Sequence, residues 1–243
     1  MIKKVTTSRA GTQEGTNVPA FLIRDSINFN NSGEVWINNP NGTLDGKYQV
    51  DDEITVEIGE ILSGAEELDI IFKGLIADVD EDDRTRLVVA GFGRTLQRTQ
   101  YKKTYHLIDA PKIIRDLLDP TGIDYETGTL PTDRRHTHIC PNGSIWKELN
   151  RLNEAWNLQL VPYFNRRGVL ILKTREEAAI DTDIEYNSGE FKNFQDHLLT
   201  LPLDQEIEAM MKIKILGQEY RVTEHQMRHD ERRSTSTIVT AKI

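Results

Sequence analysis

The sequence predicts a mainly β fold with a small α+β domain in the middle, because two stretches with strand patterns flank one with helical patterns. Residues 1–99 and 179–243 contain alternating or continuous β-rich runs that end in polar turns. Residues 100–178 contain two stretches in which apolar residues recur at helical spacing. These three ranges are the predicted domains: a first β domain, a middle α+β domain and a second β segment.

The first β domain is predicted from a strand, a hairpin and a sharp turn. Apolar and polar residues alternate over 54–58, as in a strand with one buried face. The apolar run 70–79 meets an acidic tip at 81–84 before the run 87–90 returns, which predicts a hairpin. Pro and Asn-Gly within residues 38–42 predict the sharp turn.

Two helices are predicted in the middle domain. Asp109 is placed to cap the first, and Pro120 with Gly122 ends it. Its apolar residues share one face: Ile113, Ile114, Leu117 and Leu118. The second helix begins near Ser144, and its apolar residues form a single stripe: Ile145, Leu149, Leu152 and Trp156. The turn 165–168 joins two apolar runs, which predicts a two-stranded ribbon beneath the second helix.

The second β segment is predicted from alternation over 211–215, a turn at Gly217 and a β-branched run at 235–243. Residues 230–241 also resemble residues 80–90, and each of these stretches follows a strand that begins shortly after a glycine. A repeated unit and a chance similarity of two acidic hairpin tips both explain this resemblance.

Composition restricts the classes of function. The net charge of −9 and the pI near 5.2 disfavour binding to nucleic acid or anionic membranes through bulk charge. No apolar stretch approaches the roughly 18 residues of a membrane span, and residues 1–7 lack the apolar core of a signal peptide. Cys140 is the only cysteine, so an internal disulfide is excluded. We therefore expect a soluble chain that folds in the cytoplasm, without membrane insertion.

The best candidate for metal chemistry is the alternating set His136, His138 and Cys140. In an extended segment the three side chains would project to one side, and all three are possible zinc ligands. The set lacks a fourth ligand, a known zinc spacing and an acidic residue to act as base. The favoured interpretation is an exposed loop with a half-buried cysteine.

Acidic residues suggest two further sites, and both have simpler explanations. The run 78–83 lacks the glycine and the glutamate that a calcium loop requires, so a solvated hairpin tip is favoured. The pairs 176–177 and 181–183 could flank a glycosidic bond, but a chain with 39 acidic residues contains such pairs without catalysis. No nucleophile elbow, phosphate loop or dinucleotide motif occurs. The sequence therefore predicts no enzyme and no catalytic, cofactor-binding or metal-binding residue.

For other residues that could bind a ligand, the sequence predicts structural roles instead. His225 and His229 lie on or near the predicted penultimate strand, where a histidine usually bonds to nearby backbone. Trp36, Trp146 and Trp156 are predicted to pack in the protein instead of forming a ligand platform.

Several segments are informative because of their order along the chain. They are the turn 37–42 with the run 50–58, the strand 71–79, the segment 90–96, the helix 110–118 with 121–123, the helix 144–152 with the run 168–172, and the closing hairpin 220–225 with 237–240. In this order they resemble the tail hub proteins of phages and contractile injection systems, the family of late-control D-type proteins and central baseplate hubs. Asp51 stands where that family usually has glycine.

The resemblance implies two similar β-barrel, tube-type domains that flank a helix-containing insert. It further implies a homotrimer that forms a pseudo-sixfold ring and joins the sixfold tail tube to a threefold spike or tail tip. The implied partners are the tail tube protein, the spike or tail-tip protein and the tape measure protein, with DNA passing transiently through the lumen. The chain would fold in the host cytoplasm and act in the virion tail or injection particle. It stops at the closing hairpin, so no fused spike or lysozyme domain is expected.

Two functions from other classes are kept as alternatives. A carbohydrate-binding or surface-binding β-module would need aromatic side chains along a groove, and the 7% aromatic content does not favour it. A metal-dependent hydrolase would have to be built on His136, His138 and Cys140.

Overall fold

The computed structural model describes residues 2–8, 10–14, 17–27, 31–62, 65–230 and 233–243. Strands dominate the described chain. They are β1 (Ile2–Thr7), β2 (Gly11–Glu14), β3 (Ala20–Ser26), β4 (Ser32–Asn38), β5 (Glu53–Leu62), β6 (Ala65–Asp80), β7 (Arg84–Ala90), β8 (Gln100–Ile108), β9 (Tyr125–Thr127), β10 (Arg135–Ser144), β11 (Leu160–Phe164), β12 (Leu170–Thr174), β13 (Ile180–Tyr186), β14 (Asn193–Gln195), β15 (Leu198–Pro202), β16 (Met211–Ile215), β17 (Gln218–Asp230) and β18 (Arg233–Lys242). The helices are α1 (Gly93–Arg98), α2 (Ala110–Leu118) and α3 (Ile145–Trp156).

One large sheet joins the beginning of the chain to its end. Its strands follow the order β14-β15-β18-β17-β3-β4-β7-β6-β5-β1-β2, and β16 and β13 branch from β17. The link between the two halves is the antiparallel pair β3 and β17, in which Phe21 lies opposite His229 and Ser26 opposite Glu224. The first part of β17 pairs with β16 instead of β3. On its other edge, β17 pairs with β18 along most of its length.

The residues between the two halves form an insert, which we define as residues 91–179. It contains the three helices, the two-stranded sheet of β8 and β10, and the three-stranded sheet β11-β12-β9. Its apolar side chains form a core of their own, built mainly from α2, α3 and the strands around them. The chain therefore leaves the large sheet after β7 and returns to it at β13.

The local predictions for helices and strands agree with the structure. The side chain of Asp109 accepts a hydrogen bond from the N–H of Lys112 at 2.9 Å, and the predicted apolar face of α2 is buried. Ser144 caps α3 in the same way, and its predicted stripe is also buried. The alternation over 54–58 gives β5 a buried face, and the run 70–79 lies in β6.

Three features of the fold differ from the predicted detail. The β-rich class with a helix-containing insert is confirmed, but the large sheet does not close into a barrel over the described residues. Residues 93–98 form α1, although residues 1–99 were expected to be β structure. The predicted two-stranded ribbon of β11 and β12 has β9 as a third strand, because the short segment 125–127 pairs in parallel with β12. The domain boundaries at 99 and 178 remain predictions.

The two stretches with similar sequence are both hairpins. Residues 80–90 contain the end of β6 and all of β7, and residues 230–241 contain the end of β17 and most of β18. Glu231 and Arg232 of the second tip lie outside the described residues. No helix in the described part of the chain is both long and apolar enough to cross a membrane.

Shortening a buried side chain of α3 should destabilise the protein. Leu149→Ala or Trp156→Ala should lower the free energy of unfolding by about 2–5 kcal/mol, because each leaves a cavity under the helix. Chemical denaturation monitored by circular dichroism measures the change. Glu154→Ala, on the exposed side of the same helix, is the control and should change stability by less than about 0.5 kcal/mol. A similarly small change for Leu149 or Trp156 would contradict their packing in the core.

Candidate functional site

The insert contacts the large sheet through the turn between β11 and β12. Asn165 Oδ1 accepts hydrogen bonds at 3.0 Å from two backbone N–H groups of this turn. Gly168 has a φ of +75°, and an added Cβ would lie 2.6 Å from the ring of Phe92. Glycine is therefore needed for both conformation and space. The turn places Arg166 against the sheet, where only 2% of its surface is exposed.

Arg166 contacts several parts of the large sheet and its loops. Its Nη1 donates a 2.6 Å hydrogen bond to the carbonyl of Gln205, and its Nη2 donates to the carbonyl of Ile207. Nε lies 3.5 Å from Asp25 Oδ2, which makes a buried ion pair. Nη2 also lies 2.7 Å from His225 Nδ1. One side chain of the insert thus contacts β3, β17 and the loop before β16.

Asp25 is the acidic partner in this cluster. Its Oδ2 accepts a 3.0 Å hydrogen bond from the backbone N–H of Ala209. Burial raises the pKa of the Asp25 carboxyl above its ordinary value, and the Arg166 guanidinium acts in the opposite direction. The carboxylate is therefore held in the interior by its arginine partner.

Asn31 makes a second link between the insert and the large sheet. Its Oδ1 accepts a 3.1 Å hydrogen bond from the backbone N–H of Ser26, at the end of β3. Its Nδ2 donates a 3.0 Å hydrogen bond to the carbonyl of Phe164, at the end of β11. The amide therefore bridges two strand ends, and it is buried.

His225 and Ser236 extend the cluster across β17 and β18. His225 Nε2 lies 2.9 Å from Ser236 Oγ, and Ser236 Oγ accepts a 2.9 Å hydrogen bond from the N–H of Asp204. Burial, followed by the charge of Arg166, lowers the pKa of His225 to about 3. The imidazole is therefore neutral at physiological pH.

We call these residues the Arg166 junction; its members are Asp25, Asn31, Arg166, His225 and Ser236. A serine beside a histidine can act as a nucleophile, but both side chains are fully buried and no substrate could reach them. The charged groups of the junction contact each other and the backbone. Chemically, the arrangement suits a fixed connection between the insert and both halves of the sheet.

The predicted zinc candidates lie on β10. His138 and Cys140 are buried in or beside the core of the insert, and the side chain of His136 lies outside the described residues. Trp156 Nε1 donates a 3.3 Å hydrogen bond to His138 Nδ1, and burial is the main cause that raises the pKa of the Cys140 thiol to about 12. Within the described part of the chain, no group of three or more His, Cys, Asp and Glu side chains could hold a metal ion. The expected exposed loop is instead a strand.

The acidic residues that were considered as calcium or catalytic sites take part in turns and ion pairs. Residues 78–83 form the end of β6 and the predicted hairpin tip. Glu177 accepts hydrogen bonds from the N–H groups of Thr129 and Thr174, and these lower its pKa to about 2. Asp181 forms a 2.6 Å ion pair with Lys212.

His225, Trp146 and Trp156 pack or form hydrogen bonds within the protein. His225 lies on β17 and contacts the backbone carbonyl of Ile207, as predicted for a histidine on that strand. Trp156 is buried, and Trp146 is partly buried against the same core. No sequence pattern indicated that Arg166 and Asp25 form a pair. The turn 165–168 was predicted, but turn composition does not say which element its arginine contacts.

This fold, a sheet whose two halves are joined by β3 and β17 with an insert between them, is similar to that of solved tail proteins. The structure is similar to the 43 kDa tail protein of prophage MuSo2 from Shewanella oneidensis, with a TM-score of 0.76, 9% identity, and coverage of 100% of this chain and 98% of that chain. A tail protein from Neisseria meningitidis gives a TM-score of 0.68 with 7% identity, covering 99% and 96% of the two chains. The predicted resemblance is thus confirmed for the fold.

A third similar structure comes from a secretion system. It is an Escherichia coli component of the type VI secretion system, described as structurally similar to the bacteriophage T4 tail proteins gp27 and gp5. Its TM-score is 0.67 at 10% identity, with coverage of 99% of this chain and 77% of that chain. No family model matches the sequence, and no curated protein is significantly similar to it.

Proposed function

We propose that this protein is a structural subunit of a phage tail or a related contractile injection particle. The observation that carries the proposal is the likeness of fold over the full chain to tail proteins from two bacteria. The Arg166 junction supports it, because a buried ion pair suits a fixed structural connection between the insert and the sheet. We infer that the chain acts by assembly and not by catalysis.

In this proposal, three copies form a pseudo-sixfold ring that joins the sixfold tail tube to a threefold spike or tail tip. The strand path of the large sheet ends at β2 and β14, and each has one edge without a described partner. Free edges promote pairing with other chains, and a closed ring of head-to-tail contacts would cover them. The proposed partners are the tube protein, the spike or tail-tip protein and the tape measure protein.

DNA or the tape measure protein would pass through the proposed ring. We expect an acidic to neutral lumen, because a basic one would bind phosphates strongly. Arginines on the solvent face of the sheet support this: Arg24 Nε lies 3.1 Å from Glu224, and Arg86 pairs with Glu34. In these two pairs the guanidinium is offset by a carboxylate of a neighbouring strand.

The oligomeric state tests the proposed function. Native mass spectrometry and light scattering at several concentrations should give a trimer of the 27.8 kDa chain. Addition of a purified tube or spike protein should shift the mass further. A chain that stays monomeric at every concentration and also fails to bind a tube or spike protein would refute the proposed ring.

A further inference from the structure

The sheet of β8 and β10 forms a ribbon that pairs with no other described strand. Tyr105 and Cys140 point from one face of this ribbon into the core of the insert. Because side chains alternate along a strand, Lys102, His106 and Ile139 lie on the opposite face, and all three are exposed. We call this opposite face the ribbon face.

The ribbon contains basic residues and no acidic ones, in a chain that is acidic overall. Residues 100–108 and 134–144 contain no Asp or Glu, whereas the whole chain has a net charge of −9. Lys102 on the ribbon face and Arg134 just before β10 are exposed, whereas Lys103, on the same face as Tyr105, forms a 2.6 Å ion pair with Asp116. An acidic surface would therefore be attracted to this face.

Two exposed apolar residues belong to the ribbon: Ile139 lies on the ribbon face, and Leu107 follows His106 near the end of β8. Leu107 is 55% exposed and Ile139 is 53% exposed. Leu107 also has a φ of +51°, a left-handed conformation that is costly for a leucine. Its side chain gains little packing within the chain to offset that strain. A strained and exposed leucine on a basic ribbon suggests a contact surface.

An acidic surface of the same chain lies at a hairpin tip of the large sheet. The tip of the hairpin of β6 and β7 carries four successive acidic residues at 80–83, and all are exposed. This tip adjoins the start of β7, whereas the insert leaves the sheet after Ala90, the last residue of β7. One chain thus carries both an exposed acidic tip and a ribbon with exposed basic residues.

We propose that the ribbon face of one copy contacts the acidic tip of the next copy. This inference rests on the ring described under Proposed function. A closed head-to-tail ring needs two different surfaces that complement each other, and the ribbon face and the tip are different surfaces whose exposed charged residues have opposite sign. Leu107 and Ile139 would be covered at this contact.

Charge reversal on the full-length chain tests the contact. Asp82→Lys with Asp83→Lys should raise the concentration at half-assembly about tenfold or more, and Lys102→Glu with Arg134→Glu should do the same. All four changes in one chain restore complementarity and should recover most of the assembly. Glu154→Lys with Glu176→Lys is the control, since both residues are exposed and lie outside the two surfaces.

Sedimentation velocity at low and physiological salt measures assembly, and thermal melting verifies that each variant is folded. If the wild-type chain assembles and the reversed variants assemble equally well, the ribbon–tip contact is refuted and the ring stands. If the wild-type chain is a persistent monomer and also binds no tube or spike protein, the proposed function itself fails, and the ribbon–tip contact fails with it. Normal assembly together with loss of DNA binding in the ribbon variant would make the ribbon face a nucleic-acid surface and would also overturn the inference.

Discussion

Replacing Arg166 by alanine should lower the free energy of unfolding by about 3–5 kcal/mol, because it leaves the buried carboxylate of Asp25 without its partner. The hydrogen bonds to the carbonyls of Gln205 and Ile207 are lost at the same time. Urea denaturation at pH 7, followed by circular dichroism and tryptophan fluorescence, measures the loss.

The loss should depend on pH in a defined direction. Burial already raises the pKa of Asp25, and removal of the guanidinium takes away the main opposing effect. A carboxyl whose folded pKa lies above its unfolded pKa destabilises the protein as pH rises. The defect of Arg166→Ala should therefore be smaller near about pH 4 than at pH 7.

The neighbouring arginine provides the control for this experiment. Arg167 is exposed, so Arg167→Ala should change stability by less than about 0.5 kcal/mol. Arg166→Met combined with Asp25→Leu removes both charges and should recover much of the stability lost in Arg166→Ala. A cost below about 1 kcal/mol for Arg166→Ala would show that the junction does not hold the insert to the sheet.

Deleting residues 219–243 should prevent both stable folding and ring formation. The deletion removes β18 and nearly all of β17, which lies between β18 on one side and β3 and β16 on the other. The remaining strands would expose open edges and the apolar side chains that β17 and β18 cover. Size-exclusion chromatography should show aggregates, and thermal melting should lose its cooperative transition.

A short deletion is the control for this truncation. Removing residues 242–243 takes away only the end of β18, where Lys242 pairs with Tyr220. This variant should fold and assemble like the full chain. If the long truncation also gave a normal mass and melting temperature, the central position of β17 in the sheet would be wrong.

The parts of the fold that follow from neighbouring residues could be predicted from the sequence. Asp109 and Ser144 cap helices through bonds to residues three positions ahead, so the signal is local. The alternation over 54–58 likewise reports a strand with one buried face. The turn 165–168 and the hairpin tip after β6 depend on local turn chemistry in the same way.

The parts that depend on distant residues could not be predicted. β3 and β17 pair across most of the chain, and Asp25 binds the N–H of Ala209, 184 residues away. An isolated Arg-Arg turn and an isolated Asp in a strand give no sign that they meet. The ribbon of β8 and β10 was missed for a related reason, since α2 and β9 separate its strands in the sequence.

The pairing of β3 with β17 also sets when the protein can finish folding on the ribosome. β3 ends at Ser26 and β17 begins at Gln218, so nearly the whole chain is translated between the two partners. At usual elongation rates of about 5–20 residues per second, β3 waits on the order of 10–40 seconds for its partner. Contacts of such high sequence separation also form slowly once the chain is complete. Because β3 can pair earlier with β4, we expect only its β17-facing edge to remain open, and therefore prone to pairing with other chains, until β17 has been released.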